Sequence, residues 1–191
     1  YQPATADNGF LPDLDSLSDD LLARTVAMFI ASPANPQGTV ASMNYFRKLT
    51  ALADRFGFIV LSDECYSEIY TKDAPGSILE AAGSDYRNVV AFQSLSKRSN
   101  LPGMRVGFVA GDAKFLTSFH ELRNVAAPQV PVPLQQVGVA AYGDEDHVNE
   151  NRRLYRIKFD LADQILGNRY GYRRPAGGFC VWLDVSDRGG D

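Results

Sequence analysis

The stretch MNYFRKLTALADRFGFIVLSDE, residues 43–64, joins a helix pattern directly to a strand pattern. Gly57 separates the two patterns, at the position where a left-handed glycine ends many helices. The residues after it, Phe58–Leu61, form a continuous apolar run that predicts a strand buried on both faces. Before it, apolar residues recur at every third or fourth position, as in an amphipathic helix: Met43, Phe46, Leu49, Leu52, Ala53 and Phe56.

The chain on either side extends this pattern into a sheet. An apolar run over Thr25–Ala31 predicts a strand before the helix. Since one helix lies between the two strands, they should be parallel with a right-handed crossover. Further apolar runs predict a third strand over Val89–Phe92 and a fourth over Arg105–Val109. The predicted fold class is α/β, in three α/β/α layers around a mainly parallel sheet.

Two helices are predicted after the fourth strand. The first covers Lys114–Asn124 and the second, which is shorter, covers Gln135–Tyr142. Proline lacks an amide hydrogen and clashes with the preceding helical turn, so it ends a helix. Three prolines should separate these two helices: Pro128, Pro131 and Pro133.

A change of pattern near residue 145 predicts a domain boundary. From Asp144 to Leu166 the larger side chains fall on one helical face for about six turns, a length that can connect two domains. After Gly177 and Gly178, another strand is predicted over Phe179–Leu183. We expect residues 1–145 to be part of a large domain, and residues 146–191 to be a linking helix and the start of a smaller α+β domain.

Composition excludes several classes of protein. The 191 residues are 45% hydrophobic and 22% charged with a net charge of −4, which is ordinary globular composition. The sequence has no basic stripe of the kind that binds nucleic acid. Its longest apolar runs are far too short to span a membrane. Cys65 and Cys180 lack metal-ligand spacing and fit two free thiols in a reducing cytoplasm.

Both ends of the sequence are unusual for a complete protein. The first residues, Tyr1–Ala4, include no methionine and no start of a helix or strand. The last residues, Asp187–Asp191, come just after a predicted strand. We expect the chain to be an internal piece of a longer protein.

Polar side chains follow the first three predicted strands and precede the fourth. In a parallel α/β sheet, ligands bind beyond the carboxyl ends of the strands, which share one edge. An amide, a carboxylate, a phenol, two hydroxyls, an amine and a guanidinium should therefore lie near one another. They belong to Asn35, Asp63, Tyr66, Ser94, Ser96, Lys97 and Arg105.

Pyridoxal 5′-phosphate is a cofactor that needs this combination of groups. Its aldehyde forms an imine with a lysine, and a buried carboxylate keeps its pyridine nitrogen protonated. Tyrosine and asparagine can donate to its ring oxygen, and guanidinium and hydroxyl groups can bind its phosphate. Each residue alone is more simply a solvated loop, turn or capping residue. Their joint occurrence on successive strand ends favours a cofactor site.

Three stretches carry a resemblance to a known family. SPANPQGT (32–39), LSDECYSEIY (61–70) and SLSKRSNLPGMRVGF (94–108) resemble, in order and separation, the signatures of class I/II, fold-type-I aminotransferases. The stretch RRPAGGFCVWLDV (173–185) resembles the strand by which that family enters its small domain. The resemblance implies an enzyme that moves an amino group between an amino acid and a 2-oxo acid, and a homodimer of the complete protein.

The same resemblance implies roles for individual residues. Lys97 would be the lysine bound covalently to the cofactor, and Asp63 would pair with the pyridine nitrogen. Tyr66 and Asn35 would bond the ring oxygen, with the Asn35–Pro36 peptide in the cis form. The phosphate would be held by Ser94, Ser96 and Arg105.

Substrate choice leaves several alternatives. The residues around Lys97 are most similar to N-succinyl-diaminopimelate aminotransferases, which implies N-succinyl-LL-diaminopimelate and 2-oxoglutarate in lysine biosynthesis. The alternatives are an aspartate or aromatic aminotransferase, a C–S lyase on the same fold, and a non-catalytic aminotransferase-like sensor domain.

Other reactive residue types receive a structural interpretation. Glu64 should face away from Asp63, because neighbours on a strand point to opposite sides. Cys65 is interpreted as an unreactive thiol, and the two histidines as surface residues. The second domain's core should contain Phe179 and Trp182. The solvated surface should contain His120, His147, Arg173 and Arg174.

Overall fold

A computed structural model describes residues 2–127 and 129–186 of the chain. Tyr1, Pro128 and residues 187–191 lie outside this part, and with them the expectations for the chain ends and for Pro128. The longer elements follow in the order α1 (Asp19–Ala23), β1 (Ala27–Ala31), α2 (Met43–Phe56), β2 (Ile59–Asp63), α3 (Ile78–Ala81), β3 (Val89–Ser94), α4 (Leu95–Arg98), β4 (Gly107–Gly111), α5 (Ala113–Ala126), α6 (Val132–Tyr142) and α7 (Asp146–Leu166).

The strands form one sheet in the order β1-β2-β3-β4. β1, β2 and β3 are parallel, while β4 runs antiparallel to β3. The antiparallel pairing follows from the short connection, because α4 and one 3₁₀ turn return the chain to the edge it has just left. The amide of Leu95 donates to the carbonyl of Val106 (3.0 Å) where this connection closes. The predicted α/β class with a mainly parallel sheet is confirmed.

Helix α2 covers one face of the sheet and matches its predicted bounds. Ser42 caps its start by accepting a hydrogen bond from the amide of Tyr45 (3.1 Å), and Gly57 ends it with φ 75°. Its apolar side packs on the side chains of β1, β2 and β3 that point toward it. The resulting core is fully buried at Phe46, Leu49, Ala53, Phe58, Val60 and Val89.

The opposite face of the sheet carries α5. The ring of Phe92 on β3 meets the ring of Phe119 on α5 edge to face, with centroids 6.4 Å apart. Helices therefore lie on both faces, which gives the predicted three layers. Toward β1 this face is open, and Phe29 is 77% exposed.

The C-terminal helices begin and end close to their predicted positions. Pro131 lies between α5 and α6 as expected, where it is the N-cap of α6. Pro133 does not separate the helices, because it lies in the first turn of α6, where proline is tolerated. Helix α7 ends at Gly167, as expected, and buries Val148, Asn151 and Phe159. The domain boundary near residue 145 stays a prediction.

The strand predicted over Phe179–Leu183 is wrong for the described part of the chain. The backbone just before it forms only an isolated bridge between Tyr70 and Gly177. An apolar run becomes a strand only where a neighbouring strand supplies hydrogen bonds, and none among the described residues lies beside it. Trp182 is 49% exposed, so it does not pack the expected core.

Candidate active site

Strand register brings three of the predicted residues to one edge of the sheet. Asp63 ends β2 and pairs with Ala31 at the end of β1 and with Phe92 on β3. Asn35 lies in the loop after β1, and Ser94 is the last residue of β3. The carboxyl ends of the three parallel strands thus bring an amide, a carboxylate and a hydroxyl to the same edge.

Lys97 lies on the one-turn helix α4, directly after β3. Its Nζ is 5.0 Å from the centroid of the Phe179 ring and 5.7 Å from that of Tyr66. Within residues 2–127 and 129–186, no hydrogen bond or ion pair involves this Nζ. An amine held over two aromatic faces and without an acid partner is available for covalent chemistry.

The Asp63 carboxylate is oriented by its own backbone. Oδ1 accepts a hydrogen bond from the amide of Cys65 (3.0 Å), which fixes the side chain in an Asx turn at the end of β2. Burial raises the pKa of the Cys65 thiol to about 12, with the neighbouring Asp63 acting in the same direction. The thiol is therefore protonated and a poor nucleophile, in line with its predicted inertness.

Tyr66 presents a buried phenol next to these groups. It is 8% exposed, and its ring meets Phe179 edge to face at 5.2 Å. Burial raises the pKa of the phenol, with a further increase from negative groups that include Asp63. At neutral pH Tyr66 is consequently a hydrogen-bond donor.

Two serines and an arginine occupy the end of β3 and the approach to β4. The Ser94 hydroxyl donates to the Ser96 oxygen (2.8 Å) and accepts from the Ser96 amide (3.0 Å). Ser94 pairs with Gly107, which brings Arg105 to the same edge by register. Arg105 has a left-handed backbone (φ 54°, ψ 39°), and its guanidinium donates to the carbonyl of Pro102 at 2.7 Å. Such a backbone is uncommon outside glycine and is often found at functional sites.

The loop that carries Asn35 packs closely on the segment before Phe179. The Asn35–Pro36 peptide is cis, as expected, and so is Ser32–Pro33. The amide of Gly177 donates to the carbonyl of Gly38 (3.0 Å), and a Cβ on Gly38 would lie 2.3 Å from Pro175. Only glycine permits this backbone approach.

This close approach brings residues to the site that sequence reasoning missed. The Phe179 ring faces Lys97, and Tyr155 of α7 stacks on it at 5.7 Å with 12° between the planes. The Cys180 thiol donates a 3.7 Å hydrogen bond to Oδ1 of Asn35. The only sequence signal was the glycine pair at 177–178, which here allows the backbone to pass a proline of the Asn35 loop.

Glu64, beside Asp63 in sequence, is a structural acid as predicted. Its carboxylate is 1% exposed and accepts hydrogen bonds from Ser62 (3.1 Å), the Ile78 amide (2.9 Å) and Gln93 (3.2 Å). Burial raises its pKa, while these hydrogen bonds oppose the change. It joins β2, α3 and β3 without facing Lys97.

Two other interpretations of charged residues need correction. Arg174 is not a solvated side chain, because it pairs with Asp160 (2.6 Å) and Asp163 (2.7 Å) of α7. His147 is partly buried and bonded on both nitrogens, at 2.7 Å to Asp144 and 2.9 Å to Ser99. His120 is exposed, as predicted.

The described residues include neither a candidate metal site nor a candidate membrane-spanning helix. Within residues 2–127 and 129–186, no three His, Cys, Asp or Glu side chains are placed together in a way that could hold a metal ion. In the same part of the chain, no helix has both the length and the apolar character needed to cross a membrane.

A family model described as aminotransferase class I and II matches residues 1–188. The LL-diaminopimelate aminotransferase of Desulforudis audaxviator (strain MP104C) is 37% identical to this chain over 188 residues. The match covers 96% of the chain and 47% of that protein.

Solved structures of aminotransferases are also similar to this chain. An aminotransferase from Neisseria meningitidis has 42% sequence identity and a TM-score of 0.86, covering 93% of this chain and 46% of that one. A probable N-succinyldiaminopimelate aminotransferase from Thermus thermophilus has 25% identity and a TM-score of 0.85, covering 91% and 47%. The chain spans about half the length of the relatives it matches.

Proposed function

The chain belongs to the class I and II aminotransferases, and from this premise we propose a function for the whole protein. It is an enzyme that uses pyridoxal 5′-phosphate to move an amino group between an amino acid and a 2-oxo acid. The observation that carries this proposal is the placement of Lys97. Its amine lies over Tyr66 and Phe179, and the described residues offer it no acid partner.

The donor set at the sheet edge fits each part of this cofactor. Lys97 would bind the aldehyde, and the Asp63 carboxylate would pair with the pyridine nitrogen. Tyr66, whose raised pKa keeps it a donor, would bond the ring oxygen together with Asn35. Hydroxyl and guanidinium donors for the phosphate would come from Ser94, Ser96 and Arg105.

The chemistry divides between the cofactor and the chain. When bound, pyridoxal 5′-phosphate accepts the electron pair that is left when the substrate loses its α-proton. The Nζ of Lys97 would remove this proton and return it, from its position over the rings of Tyr66 and Phe179. The Asp63 carboxylate, oriented by the Cys65 amide, would stabilise positive charge on the pyridine nitrogen.

The proposal is tested by amino-donor assays on the full-length protein. We expect Lys97→Ala to lose transamination, because its methyl group can neither bind the cofactor nor carry a proton. Lys48→Ala removes an exposed ion pair between Lys48, on α2, and Asp15, so this variant should keep full activity. Equal activity in Lys97→Ala and Lys48→Ala would contradict the proposal.

For the amino donor we propose a diaminopimelate-type substrate, N-succinyl-LL-diaminopimelate first, with 2-oxoglutarate as acceptor. The names of the relatives from Desulforudis and Thermus support a diaminopimelate donor. A panel of succinylated diaminopimelate, free LL-diaminopimelate, aspartate and phenylalanine separates the alternatives. The proposal predicts the highest kcat/KM for the succinylated donor, and a clear preference for any other donor would refute it.

We further propose that the full-length enzyme is a cytoplasmic homodimer. Cys65 and Cys180 are both free thiols, which supports a reducing compartment. The open sheet face at Phe29 leaves apolar surface for more chain to cover. Light scattering on the full-length protein should give twice the chain mass, and the monomer mass would contradict the dimer.

A further inference from the structure

The helix that carries Lys97 cannot fix the lysine by itself. Helix α4 contains four residues, one turn, and isolated helices this short are unstable in water. The first residue of α4, Leu95, is fully buried in the interior. The residues from Lys97 onward must therefore take their position from contacts with other parts of the chain.

Asn151 on α7 contacts the backbone of this segment directly. It is only 9% exposed, and its Nδ2 donates to the carbonyls of Lys97 and Arg98, both at 3.5 Å. Its Oδ1 accepts a hydrogen bond from the side chain of Asn100 (2.8 Å). A single buried amide thus bonds the segment at three places. Buried amides are conformationally specific because every unmade bond is costly.

His147, which lies one helical turn before Asn151 on α7, contacts Ser99, the residue after Arg98. Its Nε2 lies 2.9 Å from the Ser99 hydroxyl and its Nδ1 lies 2.7 Å from Asp144. With Nδ1 protonated, the ring donates to Asp144 and accepts from Ser99, so all three side chains are bonded. The hydrogen bond from His147 also lowers the pKa of Asp144.

The order Ser99, His147, Asp144 has the connectivity of a hydrolytic triad, but the donors around it are occupied. The Ser99 amide donates to the carbonyl of Leu95 (3.1 Å). The Arg98 guanidinium is bonded to the Ala141 carbonyl (2.7 Å) and paired with Glu145. A nucleophilic serine needs free donors for a developing oxyanion, so the occupied donors favour a structural role for these three side chains.

Helix α7 also positions the ring that Lys97 faces. Tyr155, one turn beyond Asn151, stacks on Phe179, and the Nζ of Lys97 lies over the same ring. One helix therefore contacts both the backbone of the lysine and the aromatic surface opposite its amine.

We propose that Asn151 and His147 are positioning residues, which hold the Lys97 segment against α7 so that Nζ stays over Tyr66 and Phe179. This inference rests on the proposed function of Lys97. A misplacement of about 1 Å can cost roughly 100-fold in rate, so loss of either residue should reduce turnover more than substrate binding.

The first test measures hydrogen exchange in the full-length protein without cofactor. In Asn151→Ala, the amides of residues 96–101 should exchange about tenfold faster, as expected when a segment loses its stabilising hydrogen bonds. The amides of β2 should not change. Glu150→Gln, which removes only a surface pair with Arg153 (2.7 Å), is the matched control. Unchanged exchange at 96–101, or an equal increase in β2, would overturn the proposal.

The second test separates turnover from binding in the full-length holoenzyme. His147→Ala should lower kcat by about tenfold and change KM less than about twofold. His147→Gln should recover most of the loss, since an amide can still donate to Asp144 and accept from Ser99. A loss confined to KM, or no recovery in His147→Gln, would refute the positioning role.

The two tests also tell this inference apart from the proposed function. Hydrogen exchange reports the contact with α7 whatever the enzyme does. If Lys97→Ala stayed active, the proposed function would fail, and the positioning of a catalytic lysine would fail with it. If Lys97→Ala were inactive while Asn151→Ala exchanged normally, only the positioning role would be wrong.

Discussion

The face of the sheet under α2 and the carboxyl edge of the same strands are built from opposite kinds of side chain. Under α2, Leu49 and Val60 are fully buried in the apolar core. At the edge, Asp63 and Asn35 are exposed, and Lys97 makes no ion pair among the described residues. Apolar contacts stabilise the fold wherever they are buried. The polar groups, in contrast, would gain further partners from the cofactor that we propose binds there.

The comparison predicts that mutations in the two regions have separate effects. Leu49→Ala should lower the free energy of unfolding by about 2–5 kcal/mol, because it leaves a cavity in a close-packed core. The kcat of the folded fraction should stay near wild type. Chemical denaturation and kinetics on the full-length protein measure both, and a selective loss of kcat would break the distinction.

Asp63→Asn should have the reverse effect. Removing the charge that would hold the pyridine nitrogen protonated should lower kcat by roughly 10²–10³-fold, the usual effect of losing one electrostatic contact in an active site. The amide oxygen can still accept from the Cys65 amide, so unfolding should change little. A variant with normal kcat would mean that Asp63 serves the turn alone.

Tyr66→Phe should give a smaller change in the same direction. It keeps the ring beside Phe179 and removes only the hydroxyl, so we expect about a tenfold loss in kcat/KM, in the range of one hydrogen bond to a charged group. Tyr45→Phe is a matched control, since its hydroxyl donates to a backbone carbonyl, that of Pro12 (2.9 Å). Equal losses in both variants would contradict a role for Tyr66.

Glu64 is buried directly beside Asp63 in sequence, so it lies between the two regions. Its replacement should have the smallest effect of these four changes. Its pKa is raised in the folded protein above the ordinary 4.5. Its contribution to stability is therefore complete below pH 4.5 and is lost as pH rises through the folded pKa. Unfolding measured from about pH 4.5 to 8 should give a less negative slope for Glu64→Gln than for wild type. Parallel slopes would contradict the raised pKa.

How well each region could be predicted from sequence follows the same division. Helix α2 has its predicted bounds because its apolar spacing, its serine cap and Gly57 all agree. Helix α4 is too short to carry a periodic pattern, so the helical setting of Lys97 was not predicted. Phe179 was assigned to another core, because its contact with Lys97 depends on tertiary packing that no local pattern encodes.

The site itself was predictable only in part. The order of β1, β2 and β3 was predicted, and their observed ends lie within two residues of the predicted ones. This was enough to place Asn35, Asp63 and Ser94 at one edge. The contacts from α7 were not predictable, since Asn151 and His147 reach the lysine segment across a long sequence separation. Each is an ordinary polar residue on a helix until the packing is known.

The most direct test of the central claim is to identify the residue that binds the cofactor. The full-length protein would be incubated with pyridoxal 5′-phosphate, reduced with borohydride, digested and analysed by mass spectrometry. We predict that the added mass lies on Lys97 and is absent in Lys97→Ala. Added mass on a different lysine, with Lys97 unmodified, would contradict the account.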